Sequence, residues 1–138
     1  MGTLFIVGPG IAVLAVAGAA HVLWALGSGA PGATVPQRGG KPLFRPGRGL
    51  TLLVALALFA AAALLAAGAG LWAPPLPNFI VSAGCWLLAL VCAARAIGDF
   101  RHVGFFKRNR EGAFARADTK YYSPLCAYLA LAAGFAAG

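Results

Sequence analysis

The sequence predicts an all-α polytopic membrane protein: a bundle of four transmembrane helices, with both termini outside and two basic loops in the cytoplasm. Three observations predict it. The chain of 138 residues is 61% hydrophobic and 10% charged, with a mean hydropathy of +0.83. Water-soluble domains carry roughly a quarter charged residues, so this chain has too little polar surface to enclose a soluble core. Every Lys, Arg, Asp and Glu falls between Arg38 and Arg48 or between Arg95 and Lys120, and residues 1–37, 49–94 and 121–138 contain none. The uncharged stretches approach or exceed the roughly 20 apolar residues that a 30 Å hydrocarbon core demands. Lipid offers no partner to unpaired backbone groups, so such spans are helical. Residues 1–138 are expected to form one domain.

The first span is expected from about Thr3 to Leu26 (residues 3–26). It lacks a basic leader and its apolar stretch exceeds that of a signal peptide, so it reads as a retained helix. Gly8-Pro9-Gly10 predicts a bend in its outer third. The second span, Leu50 to Trp72 (50–72), is crowded with small residues such as Ala60 to Ala63 and Ala66 to Gly70. Small side chains let membrane helices approach closely, and van der Waals contact takes the place of the missing hydrophobic drive. Pro74, Pro75 and Pro77 stop either neighbouring helix from running on, so a tight hairpin leads into the third span, Phe79 to Gly98 (79–98). The fourth span, Tyr121 to Gly138 (121–138), is short. Its Ser123-Pro124 reads as a cap followed by proline in the first turn, and residues 124–138 alone extend only about 22 Å. Either the helix begins earlier, near Asp118, with Pro124 as a kink, or the membrane thins locally.

Orientation follows from the charge blocks. The first lies between spans one and two, and the second mostly between spans three and four. In a four-span protein those loops share a side, and the positive-inside rule makes that side cytoplasmic. Trp24, Tyr121 and Tyr122 then sit at the inner interface and Trp72 at the outer one. A net charge of +8 would suggest nucleic acid in a soluble protein. Here the bases flank membrane segments, so anionic lipid headgroups are the expected partner and nucleic acid is not. The first loop, rich in Gly and Pro, reads as irregular chain, with Leu43-Phe44 either dipping into the interface as a lid or anchoring the loop there. In the second, Phe105, Phe106 and Phe114 alternate with Lys107, Arg108, Arg110 and Arg116, the character of a membrane-surface element. Gly27-Ser-Gly29-Ala-Pro-Gly32 matches the dinucleotide glycine pattern letter for letter, but a helix precedes it and Pro31 interrupts any helix onset, so the match is read as chance.

The densest polar group closes span three: Arg95, Asp99, Arg101 and His102. If the helix continues past Gly98, then Cys85, Cys92, Arg95, Asp99 and His102 share one face. The group then serves as an interfacial anchor with an Arg95–Asp99 helix pair, or as an anion-binding or proton-handling site facing the bundle. His21, one turn inside the inner end of span one, reads as a buried histidine bonded to a neighbouring helix. Its functional alternatives are a ligand contact, a general base, or an axial haem ligand with His102. Cys85, Cys92 and Cys126 show no metal-ligand spacing, so no metal site is expected. Cys92 and Cys126 lie at similar depth, which makes a bridge geometrically conceivable, although buried free thiols are far commoner.

Four stretches carry a family resemblance. His21-x-x-Trp24-Ala-Leu-Gly27, Pro42-Leu43-Phe44-x-Pro46, Arg95-x-x-Gly98-Asp99-x-Arg101-x-x-Gly104-Phe105-Phe106-Lys107 and Asp118-x-x-Tyr121-x-Ser123-Pro124-Leu125-Cys126 resemble an uncharacterised bacterial membrane family, domain of unknown function 3995. The resemblance covers most of the chain. It implies a four-helix inner-membrane protein, multi-pass in a bacterial cytoplasmic membrane; it brings no activity with it and leaves any cofactor unknown. His102 departs from the family, where tyrosine is usual.

The leading expectation is therefore a binding or accessory module. His21, Trp24, Arg95, Asp99, Arg101, His102, Asp118 and Tyr121 would line a cytoplasm-facing site for an anionic or amphiphilic ligand. Arginine can hold such a group bidentately. The alternatives are a small membrane enzyme with His21 or Asp99 as acid-base groups, or one subunit of an oligomeric transporter. A homo-oligomer or a larger membrane complex is compatible with all of these.

Overall fold

Four long helical runs make up most of the chain, and the residues at their ends explain where each one stops. The computed structural model describes residues 2–28 and 34–138. From Gly29 onward, the dinucleotide-like glycine stretch lies outside the described residues. Helix α1, Gly2–Leu23, continues as uninterrupted α-helix through Gly8-Pro9-Gly10 and passes into a π-helical turn, Trp24–Ser28, where Gly27 has φ 112°. Helix α2, Arg48–Gly68, stops four residues short of Trp72. Gly70 takes φ 75°, its N–H donates to the Ala67 carbonyl at 3.0 Å, and the Leu71 N–H donates to the Ala66 carbonyl at 2.9 Å. That crossed pair is the Schellman termination, which needs a left-handed residue just past the helix end. Helix α3, Asn78–Ile97, follows the proline-rich turn.

Two sequence expectations are corrected at these termini. Helix α3 does not continue past Gly98, which has φ 87°. Asp99 and His102 therefore leave the helix and do not extend the face of Cys85, Cys92 and Arg95. Ser123 does not cap a new helix either. Helix α4, Gly112–Ala117, a π-turn, Asp118–Tyr122, and helix α5, Ser123–Ala137, form one continuous helical run. Proline has no N–H and its ring clashes with the carbonyl four residues back. The π-turn immediately before Pro124 changes the register where that clash would arise, so the run passes the proline. Of the two alternatives for span four, the helix begins earlier, at Gly112.

The first loop also holds more order than its composition suggests. Gln37–Arg38 pairs antiparallel with Lys41–Pro42 as strands β1 and β2, joined by Gly39-Gly40 at φ 58° and 75°. Two consecutive residues at positive φ are the requirement of a tight hairpin turn.

Helix α3 packs most extensively on α5, and α1 on α2, while α1–α5 and α2–α3 contacts close the bundle. The shared core contains Val7, Leu14, Leu65, Cys85, Leu129 and Ala133. Small residues set the close approaches: a Cβ on Gly68 would lie 2.5 Å from the Ala136 carbonyl oxygen, and one on Gly18 2.9 Å from the Phe59 ring. Large apolar side chains such as Leu53, Leu56, Leu87, Leu90 and Leu131 point outward instead. In water such a surface would aggregate; in lipid it costs nothing. Among the described residues, three helices, Gly2–Ser28, Arg48–Gly68 and Asn78–Ile97, are long and apolar enough to cross a membrane. The protein is thus an all-α chain with the helices of a membrane protein.

Candidate functional site

The loop after α3 is folded around two glycines. Gly98 and Gly104, at φ 87° and 88°, lie back to back. A Cβ on Gly98 would stand 1.8 Å from the Val103 carbonyl oxygen, and one on Gly104 2.3 Å from that of Ile97. Only glycine supplies both the backbone conformation and the space. The Phe105 N–H donates to the Ala96 carbonyl at 2.8 Å and closes the loop onto the helix end. Inside it, Asp99 Oδ1 accepts the backbone N–H groups of Arg101, His102 and Val103 at 2.9, 2.7 and 3.1 Å. Desolvation pushes the Asp99 carboxyl up, but these three donors and the neighbouring His102 outweigh it and bring the pKa down to about 2. The expected Arg95–Asp99 helix pair does not form, because Asp99 lies beyond the helix and organises its own loop.

Arg95 turns to Asp118 instead. The Arg95 guanidinium donates to Asp118 Oδ1 at 2.7 Å. Asp118 Oδ2 accepts from Lys107 Nζ at 3.0 Å and from the Gly104 N–H at 2.8 Å. Lys107 Nζ also donates to the Gly104 carbonyl at 3.1 Å and to Thr119 Oγ1, so all three ammonium protons are used. The Asp118 side chain is 0% exposed, that of Lys107 1%, and that of Arg95 32%. Desolvation raises the Asp118 pKa, yet the Arg95 and Lys107 hydrogen bonds, the Arg95 charge and the Gly104 N–H hold the carboxyl below its ordinary range. A carboxylate buried without partners would cost several kcal/mol; here every oxygen is matched. The centre joins the end of α3, the folded loop and the π-turn into one unit. Two buried polar atoms beside this unit, Arg95 Nη1 and Ser123 Oγ, have no hydrogen-bond partner among the described residues.

A second arrangement lies where the two basic loops meet. Asn109 Nδ2 donates to the Gln37 carbonyl at 2.8 Å and ties the β1–β2 hairpin to the second loop. Between them opens a cleft of about 510 Å³ lined by Arg38, Arg101, His102, Arg108, Arg110 and Glu111. Its frame is braced by the Asn109 N–H donating to the Arg101 carbonyl at 2.8 Å and the Arg108 N–H to that of Phe100 at 3.3 Å. Among the described residues, none of the four arginines has a carboxylate within ion-pair distance; the ion pairs are Arg95–Asp118, Lys107–Asp118 and His102–Asp99. The cleft therefore offers four unpaired guanidiniums against one glutamate. Such donors suit an oxyanion ligand, since each fork can bind bidentately.

The eight residues singled out from sequence fall into separate arrangements. Arg95 and Asp118 share the buried centre. Arg101 and His102 line the cleft, and Asp99 shapes the turn beneath them. His21 Nδ1 lies 2.7 Å from the Ala17 carbonyl of its own helix, and its ring sits 4.7 Å from that of Trp24. The neighbouring-helix bond expected for His21 is thus replaced by one within α1. Tyr121 is exposed, with the Lys120 ammonium 5.2 Å from its ring centre. No hydrogen bond or ion pair among the described residues links His21, Trp24 or Tyr121 to either polar arrangement. The cysteines are free thiols, so Cys92 and Cys126 form no bridge. Phe114, read as a surface residue, is buried and faces Tyr122 at 5.9 Å.

Sequence reasoning did not single out Lys107 as a site residue, nor Arg38, Arg108 and Arg110. A signal for Lys107 existed: it follows Gly104-Phe105-Phe106 immediately, an apolar setting unusual for a solvated lysine. The cleft arginines gave none, because Arg38 stands more than sixty residues before Arg101 and only the fold brings them together.

The family model described as "Protein of unknown function (DUF3995)" matches residues 14–133, and the chain belongs to that family. No curated protein and no solved structure matches it.

Proposed function

We propose that this member of the family is a four-span protein of the bacterial inner membrane, acting as a binding or accessory module for an anionic or amphiphilic ligand. In this reading α5 crosses as the fourth span, both basic loops face the cytoplasm, and both termini face outward. The ligand sits in the cleft of Arg38, Arg101, Arg108 and Arg110, with His102 beside it. The Asp118 centre and the Asp99 turn act from beneath by holding the loop that presents these groups. His21, Trp24 and Tyr121 then serve at the inner membrane interface, outside the ligand's reach.

One observation carries the reading: two basic loops far apart in sequence converge on a cleft whose guanidiniums have no carboxylate partners among the described residues. An enzyme using Asp99 as general base is less well supported. A carboxyl with a pKa of about 2 and three backbone donors on one oxygen is a poor proton acceptor near neutral pH. The test is anion-dependent thermal stabilisation of the purified protein in zwitterionic nanodiscs. Stabilisation by an anionic ligand that disappears in Arg101→Gln with Arg108→Gln is expected; unchanged stabilisation in that variant overturns the cleft as the site. Labelling of single cysteines placed at Arg45 and Glu111 in a cysteine-free background checks orientation, with reaction expected only from the cytoplasmic side.

A further inference from the structure

The charge and size of the arginine cleft say more about its ligand than its sign. Four arginines against one glutamate leave three net positive charges around a space of about 510 Å³. That volume lies within the range of pockets for whole small molecules and exceeds the need of a single ion. Each guanidinium can grip two oxygens of one phosphate, or bridge neighbouring phosphates. A lone phosphate carries up to two negative charges, so it would leave part of the cleft uncompensated. A free diphosphate, with roughly three negative charges near neutral pH, matches both the charge and the span. A lipid headgroup with two phosphodiesters carries fewer charges and matches the span, one phosphate for each pair of guanidiniums.

The cleft is also arranged before any ligand arrives. Arg101 and Arg108 sit on a loop cross-braced by the Asp99 turn and by the Asn109–Arg101 backbone bond. Arg38 is held beside them through the Asn109–Gln37 bond. Backbone ordering, which normally opposes binding, is therefore already supplied by folding. Around the loop, Phe100, Phe105 and Phe106 are exposed, with the rings of Phe100 and Phe106 6.4 Å apart. Exposed aromatic side chains on the same loop as the cleft arginines suit a ligand whose phosphates end a lipid, while the cleft itself is indifferent to what the phosphates are attached to.

We infer that the cleft between the two basic loops binds a ligand bearing two phosphate groups, either a free diphosphate or a lipid whose headgroup carries two. The inference rests on the anion-binding reading above and names the ligand class for that same site.

The experiment uses the full chain in phosphatidylcholine nanodiscs. One arm titrates inorganic diphosphate against inorganic monophosphate by calorimetry. The other replaces part of the lipid with cardiolipin and counts retained cardiolipin by native mass spectrometry. The test variant is Arg101→Gln with Arg108→Gln. The control is Arg45→Gln with Arg116→Gln, which removes the same charge outside the cleft; unchanged helicity shows that both fold. Diphosphate is expected to bind at least about tenfold more tightly than monophosphate, or cardiolipin to be retained selectively. The test variant should lose at least about tenfold, the loss of one or more charged hydrogen bonds, with the control within about threefold. A response in the first arm assigns a soluble ligand, and one confined to the second assigns a lipid. Equal affinity for the two anions with no cardiolipin retention overturns the two-phosphate assignment but leaves the anion site standing if the cleft variant still weakens monophosphate. Equal losses in test and control variants, or no binding in either arm, overturn both readings.

Discussion

Replacing Asp118 by asparagine tests the physical core of this arrangement. The carboxylate is fully buried and holds Arg95 at 2.7 Å and Lys107 at 3.0 Å. Asparagine keeps the shape and one carbonyl acceptor but removes the only negative charge in the centre. Arg95, with a third of its side chain exposed, can shed part of the resulting penalty to solvent. Lys107, 1% exposed, cannot. Removing one partner of a buried pair costs about 3–5 kcal/mol, because the remaining charge stays buried and uncompensated. That is roughly two to three and a half powers of ten in the folding equilibrium. Unfolding by SDS in mild detergent micelles, followed through the fluorescence of Trp24, Trp72 and Trp86, measures it. Lys107→Met combined with Asp118→Asn should be less destabilised than the two single changes added together, since the stranded ammonium is gone. An Asp118→Asn protein within about 0.5 kcal/mol of the parent, the range of ordinary surface changes, would refute the claim that the triad holds the loop to the bundle.

Further outcomes follow from the same contacts. Lys107→Met should destabilise more than Arg95→Met in that unfolding assay, because the lysine is the more deeply buried partner of Asp118. Folded Asp118 has a carboxyl pKa below the unfolded value of about 3.9. Its contribution is therefore complete above that value and drains away as pH falls through the lower folded value. A stability–pH profile should show this acid limb, and Asp118→Asn should flatten it. Asp99→Ala should lower hydrogen-exchange protection at Arg101, His102 and Val103 and cost about 0.5–2 kcal/mol, as the loss of a helix cap does; Asp99→Asn, which keeps an acceptor, should retain most of the protection. Gly98→Ala and Gly104→Ala each drive a Cβ into a carbonyl at positive φ, so each should cost on the order of 4 kcal/mol or more and show as loss of folded protein on size-exclusion chromatography.

Helix number and kind were legible because bilayer thickness and backbone satisfaction act on each segment alone. A run such as Leu50 to Gly68 declares itself through local composition, whatever it packs against. The ends were less legible. Gly70 set the end of α2 through a local turn, and Gly98 ended α3 although its charged neighbours continued the helical spacing. The helix through Pro124 needed a π-turn that composition does not announce. The candidate site divided in the same way. Arg95, Asp99, Arg101, His102 and Asp118 stood out as rare charges near membrane helix ends. Their partners did not: Asp99 bonds its own loop, and Arg95 reaches Asp118 across 23 positions.

By itself, then, the order of residues determined which stretches are apolar helices and where all the charges gather. Those properties follow from hydrophobicity and backbone geometry within a few turns of chain. Only the tertiary structure decided that Lys107 is buried against Asp118 and that Arg38 shares a cleft with Arg101 and Arg108. Charge pairing depends on distances through space, and those distances exist only after the helices have packed and brought the two loops together.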